Sequence, residues 1–194
     1  MMKLPICFLL ALCLFGCGRS TPTRYYMLES GAGLPVAESL PAKSLRVAQV
    51  EIPSYLNRNN IVSRVQNETQ LILAEFHLWA EPVSNGVRRV VEEVLTGPML
   101  ENGINVLPLG TEEKADYVLL IDVQRLDGNF NEKAVLESRW TLLDSAEKPA
   151  GRGFYSAGEM VPGADYDVLV GAESRLARNF GKYLAGRLPP LMRR

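Results

Sequence analysis

The chain is short of the residues from which catalytic and metal centres are commonly built. It has one histidine, His77, and three cysteines, all within its first seventeen residues. A lone histidine cannot supply the set of three protein ligands, commonly with more than one histidine, that catalytic zinc sites take. The formal net charge of −1 leaves no basic excess, and nucleic acid is not an expected partner. No G-x-x-x-x-G-K-[ST], G-x-G-x-x-G, calcium-loop acid spacing or G-x-S-x-G elbow occurs, so the phosphate cradles and the exposed serine nucleophile of those motifs are missing. No cofactor or metal is expected. Apolar runs are short as well: Leu4 to Phe15 is the longest near the start, and it is too brief to cross a bilayer as a stable helix.

What that opening run does have is the form of a signal peptide. "MMKLPICFLLALCLFG" carries one lysine, no acid and an apolar middle, the order of a charged then hydrophobic export signal. It ends in "LFGC", Leu14, Phe15, Gly16 and Cys17. This tetrad resembles a bacterial lipobox, which has a branched aliphatic residue three positions before the cysteine and a small residue just before it. Phe15 is bulkier than that pattern's usual residue. The resemblance implies diacylglycerol on the Cys17 sulfur, cleavage between Gly16 and Cys17, and acylation of the new amino terminus. Residues 1–16 would be removed, carrying Cys7 and Cys13 with them. The exported chain would then hold neither a disulfide nor a free thiol, which excludes thiolate metal sites and a cysteine nucleophile. One acyl chain binds a membrane marginally, while two or more hold it stably. The residue after the cysteine is Gly18 rather than the aspartate that retains such proteins at the inner membrane in enteric-type bacteria, so the expected location is the periplasmic face of the outer membrane. Residues 17–23 would be the lipidated terminus and its tether. The six residues 18–23 reach at most about 20 Å when extended, which keeps the domain close to the lipid surface.

Beyond residue 24 the hydrophobic period alternates between strand and helix. "RYYMLE" begins a first strand, and a loop rich in small residues and proline follows at 30–44. "LRVAQVEIP", 45–53, alternates as a strand. "IVSRVQNETQLILAE" reads as a hairpin with its tip at Gln66, Asn67 and Glu68. After Pro82, Val87, Val90, Val91, Val94 and Leu95 recur on one helical face, with Arg88, Arg89, Glu92 and Glu93 opposite; this predicts a helix ending near Gly97–Pro98 or slightly later. "INVLP" is a short strand, and 115–128, 133–144 and "GRGFYSAGEMV" form a three-strand meander. A second helix over 165–188 carries Leu169, Ala172, Leu176, Phe180 and Leu188 on one stripe, with Asp165 as its cap and Pro189–Pro190 as its stop. The expected fold is α/β: a single domain over 24–190, with a mixed, largely antiparallel sheet of about six strands and two long helices packed on it.

The one stretch with the look of an active site is "ILAEFHLWAEP", where His77 lies between Glu75 and Glu81. A strand would put Glu75 and His77 on one face about 7 Å apart, with Glu81 beyond the turn, a poor arrangement for acid/base work. A hydrogen-bonded His77 at a strand-to-helix junction, packed by Phe76 and Trp79, accounts for the same residues; a periplasmic hydrolase using His77 is the weaker alternative. Asp165 and Asp167 at a helix start read as caps and dipole partners. Arg24, Tyr25 and Tyr26 lie near the anchor, either at lipid headgroups or half-buried in the core, and "NRNN", 57–60, reads as a solvent-facing loop.

Several segments together resemble the ABC-type transport auxiliary lipoproteins of the PqiC-like kind: "RYYMLES", "VEIPSYLNRNNIVSRV", "LILAEFHLWAEPVSNGVRRVVEEVL", "ADYVLLIDVQRLDG" and "DYDVLVGAESRLARNFGKYLA". The most specific part is E-F-H-x-W-A-E-P, present as Glu75, Phe76, His77, Trp79, Ala80, Glu81 and Pro82. The resemblance implies a non-catalytic outer-membrane lipoprotein, assembled as a homo-oligomeric ring, that docks the end of a periplasm-spanning, MCE-domain (PqiB-like) lipid transporter subunit and supports membrane integrity. It implies no catalytic residues. An auxiliary lipoprotein of a related ABC lipid or solvent-tolerance transporter would look alike. A lipid or peptidoglycan binding module and an assembly chaperone for an outer-membrane β-barrel are further alternatives.

Overall fold

The computed structural model describes residues 20–31, 33, 41–65, 69–108 and 110–192. Gly16, Cys17, Gly18 and the hairpin tip 66–68 lie outside them.

One long strand organises the rest. Strand β6 (Tyr117–Gly128) pairs antiparallel along nearly its whole length with β7 (Lys133–Leu143), which pairs in turn with β8 (Pro149–Met160). These are the meander strands expected from sequence. On the other edge of β6 the sheet forks. The first residues of β6 pair in parallel with β2 (Lys43–Val47), and β2 with β5 (Ile104–Leu107). The far end, at Gly128, meets Ser63 of β3 (Asn60–Arg64). β3 continues antiparallel to β4 (Leu71–Trp79), and β4 in parallel to β1 (Arg24–Tyr26). The mixed sheet has eight strands, two more than expected, and the single-domain α/β class stands. The short strands β1, of three residues, and β5, of four, lie where the sequence reading placed strands.

Two helices cover one face. α1 (Val83–Glu101) and α2 (Tyr166–Met192) pack on each other and α2 lies over β6, β7 and β8. The α2 stripe is as the 3.6-residue period requires: Leu169, Ala172, Leu176, Phe180, Leu184 and Leu188 are all 0% exposed,. On β7, Leu136, Ser138, Trp140 and Leu142 face this layer and are buried, while the alternate side chains face away. The helices approach closely where Gly181 meets Val94; a side-chain carbon at 181 would lie 2.9 Å from Val94 Cβ.

Pro189–Pro190 did not act as the expected stop, whereas the first helix ends slightly past Pro98, as expected. α2 runs through Pro189 and Pro190 to Met192, and α1 through Pro98 to Glu101. Each proline removes one intrahelical bond, but its fixed φ is itself helical. The last turn of α2 is held by what it touches: Leu188, Pro189 and Met192 are buried, the Tyr117 hydroxyl donates to the Met192 carbonyl at 3.1 Å, and Lys43 donates to the same oxygen. Tertiary contacts thus replace the lost backbone bonds, an outcome local pattern cannot display.

Candidate functional site

The signature segment occupies the point where β4 changes partner. Leu71, Ile72 and Leu73 pair with Arg64, Ser63 and Val62, but Leu78 pairs with Asn60, so β4 carries a wide irregularity across Ala74–His77. A bulge bends its strand and leaves backbone groups needing other partners. Asn60 meets this need: its side-chain amide donates to the Ala74 carbonyl at 2.8 Å. Past the irregularity Trp79 N donates to the Asn59 carbonyl at 2.6 Å, and Ala80 N to the Tyr26 carbonyl at 2.7 Å. The "NRNN" run, expected to face solvent, in part closes the bulge.

Each signature residue then has a definite place. His77 Nδ1 is 2.9 Å from the Tyr26 hydroxyl, and its ring stacks on Tyr166 at 4.2 Å between centroids. Phe130 meets Tyr166 edge-on at 5.1 Å. Trp79 is buried in the core, whereas Phe76 is only half-buried, so Trp79 contributes more than Phe76 to packing the junction. Glu81 does not face His77: it accepts from Arg89 Nη2 at 2.7 Å, and the same guanidinium nitrogen donates to the Leu28 carbonyl at 2.7 Å. Pro82 caps α1 without a side-chain bond. Glu75 is exposed and has no partner among the described residues. The two carboxylates and the imidazole are therefore not brought together. What His77 does have is a phenol, and burial pushes the Tyr26 hydroxyl above its ordinary range, which keeps it a neutral phenol at neutral pH. Among the described residues no group of three or more histidine, cysteine, aspartate or glutamate side chains could hold a metal ion.

Around this junction the tyrosine pair splits, Tyr26 being 9% exposed and Tyr25 66%. Arg24 lies 4.0 Å from Asp167 at the start of α2, and Asp165 accepts from Asp167 N at 3.0 Å in the capping role read from sequence. Replacing His77 with alanine removes one partly buried hydrogen bond and one ring stack, so the expected cost is about 1–2 kcal/mol, read as a lower denaturation midpoint with an unchanged fold. An unchanged midpoint would show that the imidazole contributes nothing net.

Two polar features had no sequence signal. Asp127, 0% exposed, accepts from Arg64 Nε (2.8 Å) and Nη2 (2.9 Å), from Arg125 Nε (2.9 Å) and from the Tyr55 hydroxyl (2.8 Å). Burial alone would raise this carboxyl, but the bonds from Arg64, Tyr55 and Arg125 outweigh it and hold it below the ordinary range. The second is Glu173 on α2, 1% exposed, whose Oε2 has no hydrogen-bond partner, as is true of Ser63 Oγ. Ser63 pairs with Gly128, and a side-chain carbon on Gly128 would lie 2.8 Å from Leu169, one helical turn before Glu173. Burial first, and then the Asp127 charge, push the Glu173 carboxyl well above its usual range, so the folded protein keeps it protonated where the unfolded chain ionises it. The sign follows from linkage: Glu173 costs nothing below the ordinary carboxylate pKa, and its cost grows as pH rises toward its folded value. Glu173→Met should therefore stabilise the domain by about 1–3 kcal/mol at pH 8 and by clearly less at pH 4.5. Equal gains at both pH values in thermal melts would reject an ionisation cost.

The chain matches, over residues 26–185, the family model described as the ABC-type transport auxiliary lipoprotein component. The protein belongs to this family. The stretch Glu75–Pro82 lies within the matched residues, so membership spans the junction, both helices and the meander. Among solved structures, one described only as an uncharacterized protein is 21% identical, with a TM-score of 0.69 over 87% of this chain and 99% of that one. A protein from Xanthomonas campestris is 17% identical, with a TM-score of 0.71 over 88% of this chain and 97% of that one. Both similarities establish the fold. No curated protein matches the sequence. The family is one of lipoproteins that are auxiliary components of transport, and no helix among the described residues is long and apolar enough to cross a membrane.

Proposed function

We propose that this family member is a non-catalytic subunit anchored through acylated Cys17 to the periplasmic face of the outer membrane, where it docks the far end of an MCE-domain, PqiB-like lipid transport subunit. The observation that carries this reading is the family match over most of the chain. The site geometry is consistent with it: the most specific residues of the segment are engaged in holding a strand-to-helix junction, with His77 on Tyr26 and Tyr166 and Glu81 on Arg89. The role is positional. A tethered body, assembled as a ring of identical subunits, fixes one end of a lipid conduit and so supports membrane integrity.

The test is co-purification of the lipoprotein from membranes in mild detergent, with the accompanying chains identified by mass spectrometry. An MCE-domain chain is the expected partner. Recovery of an outer-membrane β-barrel or of a different ABC transporter instead would reject the MCE assignment.

A further inference from the structure

The α1–α2 layer holds an open groove of about 540 Å³ away from the His77 junction. Arg175, Arg178 and Lys182 line its α2 side, Val94 and Pro98 its α1 side, and Gly31 lines it as well. The spacing explains the convergence: positions 175, 178 and 182 are three and four residues apart and share one helical face. No carboxylate is among the described lining residues. Arg175 is already engaged, its Nε lying 3.2 Å from a Glu159 carboxylate oxygen, and Asn179 donates to the other oxygen at 3.2 Å. Arg178 and Lys182 have no carboxylate partner among the described residues.

Arg178 is seated rather than free in solvent. Its Nη1 would lie 3.2 Å from a side-chain carbon on residue 31, and that residue is glycine with φ +61°. Any side chain there would be strained and would also press on the guanidinium. The backbone turn at Gly31 thus makes room for a cation that nothing within the described protein neutralises. A planar guanidinium fork beside an ammonium suits a tetrahedral oxyanion, with the fork supplying two parallel donors and the ammonium a mobile point charge. The apolar wall of Val94 and Pro98 faces them, at the place where the carbon skeleton attached to such an anion would lie.

We propose that this groove binds a phosphate group, held by Arg178 and Lys182, with Val94 and Pro98 against the ligand's carbon portion. The choice of a phospholipid headgroup over free phosphate as its source rests on the lipid-transport reading above; the anion chemistry does not.

The experiment is calorimetric titration of the full mature lipoprotein in neutral detergent with monomeric dihexanoyl phosphatidylglycerol, with inorganic phosphate, and with dihexanoylglycerol, which lacks phosphate. Saturable binding of phosphatidylglycerol that weakens with added salt is expected. Arg178→Gln with Lys182→Gln should weaken it about tenfold or more. Lys148→Gln with Arg152→Gln, an equal charge change at exposed positions elsewhere, should leave it unchanged. Competition by inorganic phosphate in the same concentration range would support the site with free phosphate as a sufficient ligand, and binding of the lipid alone would support it with the headgroup as source. No saturable binding of either, equal binding of dihexanoylglycerol, or equal loss in the two double variants would overturn the proposal. Retained capture of an MCE-domain chain with no phosphate binding would reject only the groove. Phosphate binding without such a partner would reject only the transport reading.

Discussion

Asp127→Ala should destabilise the domain by about 3–5 kcal/mol, the range for removing one partner of a buried charged network and leaving the others uncompensated. Arg64 and Arg125 are 25% and 31% exposed in their side chains, whereas Asp127 is 0% exposed, so the carboxylate is the element that water cannot replace. Its removal also leaves the Tyr55 hydroxyl without its acceptor. Urea denaturation at neutral pH measures the loss, and a cost under about 1 kcal/mol would place the network in the class of surface ion pairs. The pH dependence has a definite sign. Because the folded carboxyl titrates below its ordinary range, its contribution is complete above the unfolded pKa and is lost as pH falls through the folded one. The gap between the native protein and Asp127→Ala should therefore narrow on acidification below about pH 4. This is opposite in direction to Glu173, whose cost appears as pH rises. The two groups lie close enough for the charge of one to raise the other, so their variants should not be additive.

Cys17→Ala should abolish stable membrane attachment. The reason is arithmetic: each buried methylene contributes about 0.8 kcal/mol, and two or more acyl chains convert marginal binding into stable anchoring. No helix among the described residues is long and apolar enough to cross a bilayer. The variant should appear in the soluble periplasmic fraction with native circular dichroism and melting behaviour, and it should fail to support the transporter. Fractionation and a membrane-integrity assay in cells relying on the variant check both parts. Normal support by an unlipidated, soluble form would end the anchored-docking reading, whatever the fold.

The periodic elements were legible in advance. The α2 stripe, the alternation of β7 and the hairpin of β3 with β4 each arise from residues near one another in the chain, where the helical or strand period is expressed directly in side-chain order. The signature segment was legible for a related reason, being contiguous. The His77 environment was only half legible. Its hydrogen-bonded position was foreseen, but Tyr26 is 51 residues before it in sequence and Tyr166 far after it, and local order cannot name such partners. The fork of the sheet was invisible because it depends on which distant strands pair with β6, and the period along any one strand does not name its neighbours. Pro189–Pro190 misled because a proline is a stop only when nothing else holds the turn, and here Tyr117, Lys43 and buried Met192 hold it.

By itself, then, the sequence determined the order and kind of the long elements and the family. Those properties depend on neighbouring residues or on contiguous motifs. Only the tertiary structure decided that residues 55, 64, 125 and 127 form one buried charged network, that Glu173 is buried with a carboxyl oxygen lacking a hydrogen-bond partner, and that Arg178 and Lys182 line an open groove with Gly31. Each of these depends on which distant segments share a neighbourhood, and with it on solvent exclusion and charge proximity. The fold creates that neighbourhood; the residue order around each position does not contain it.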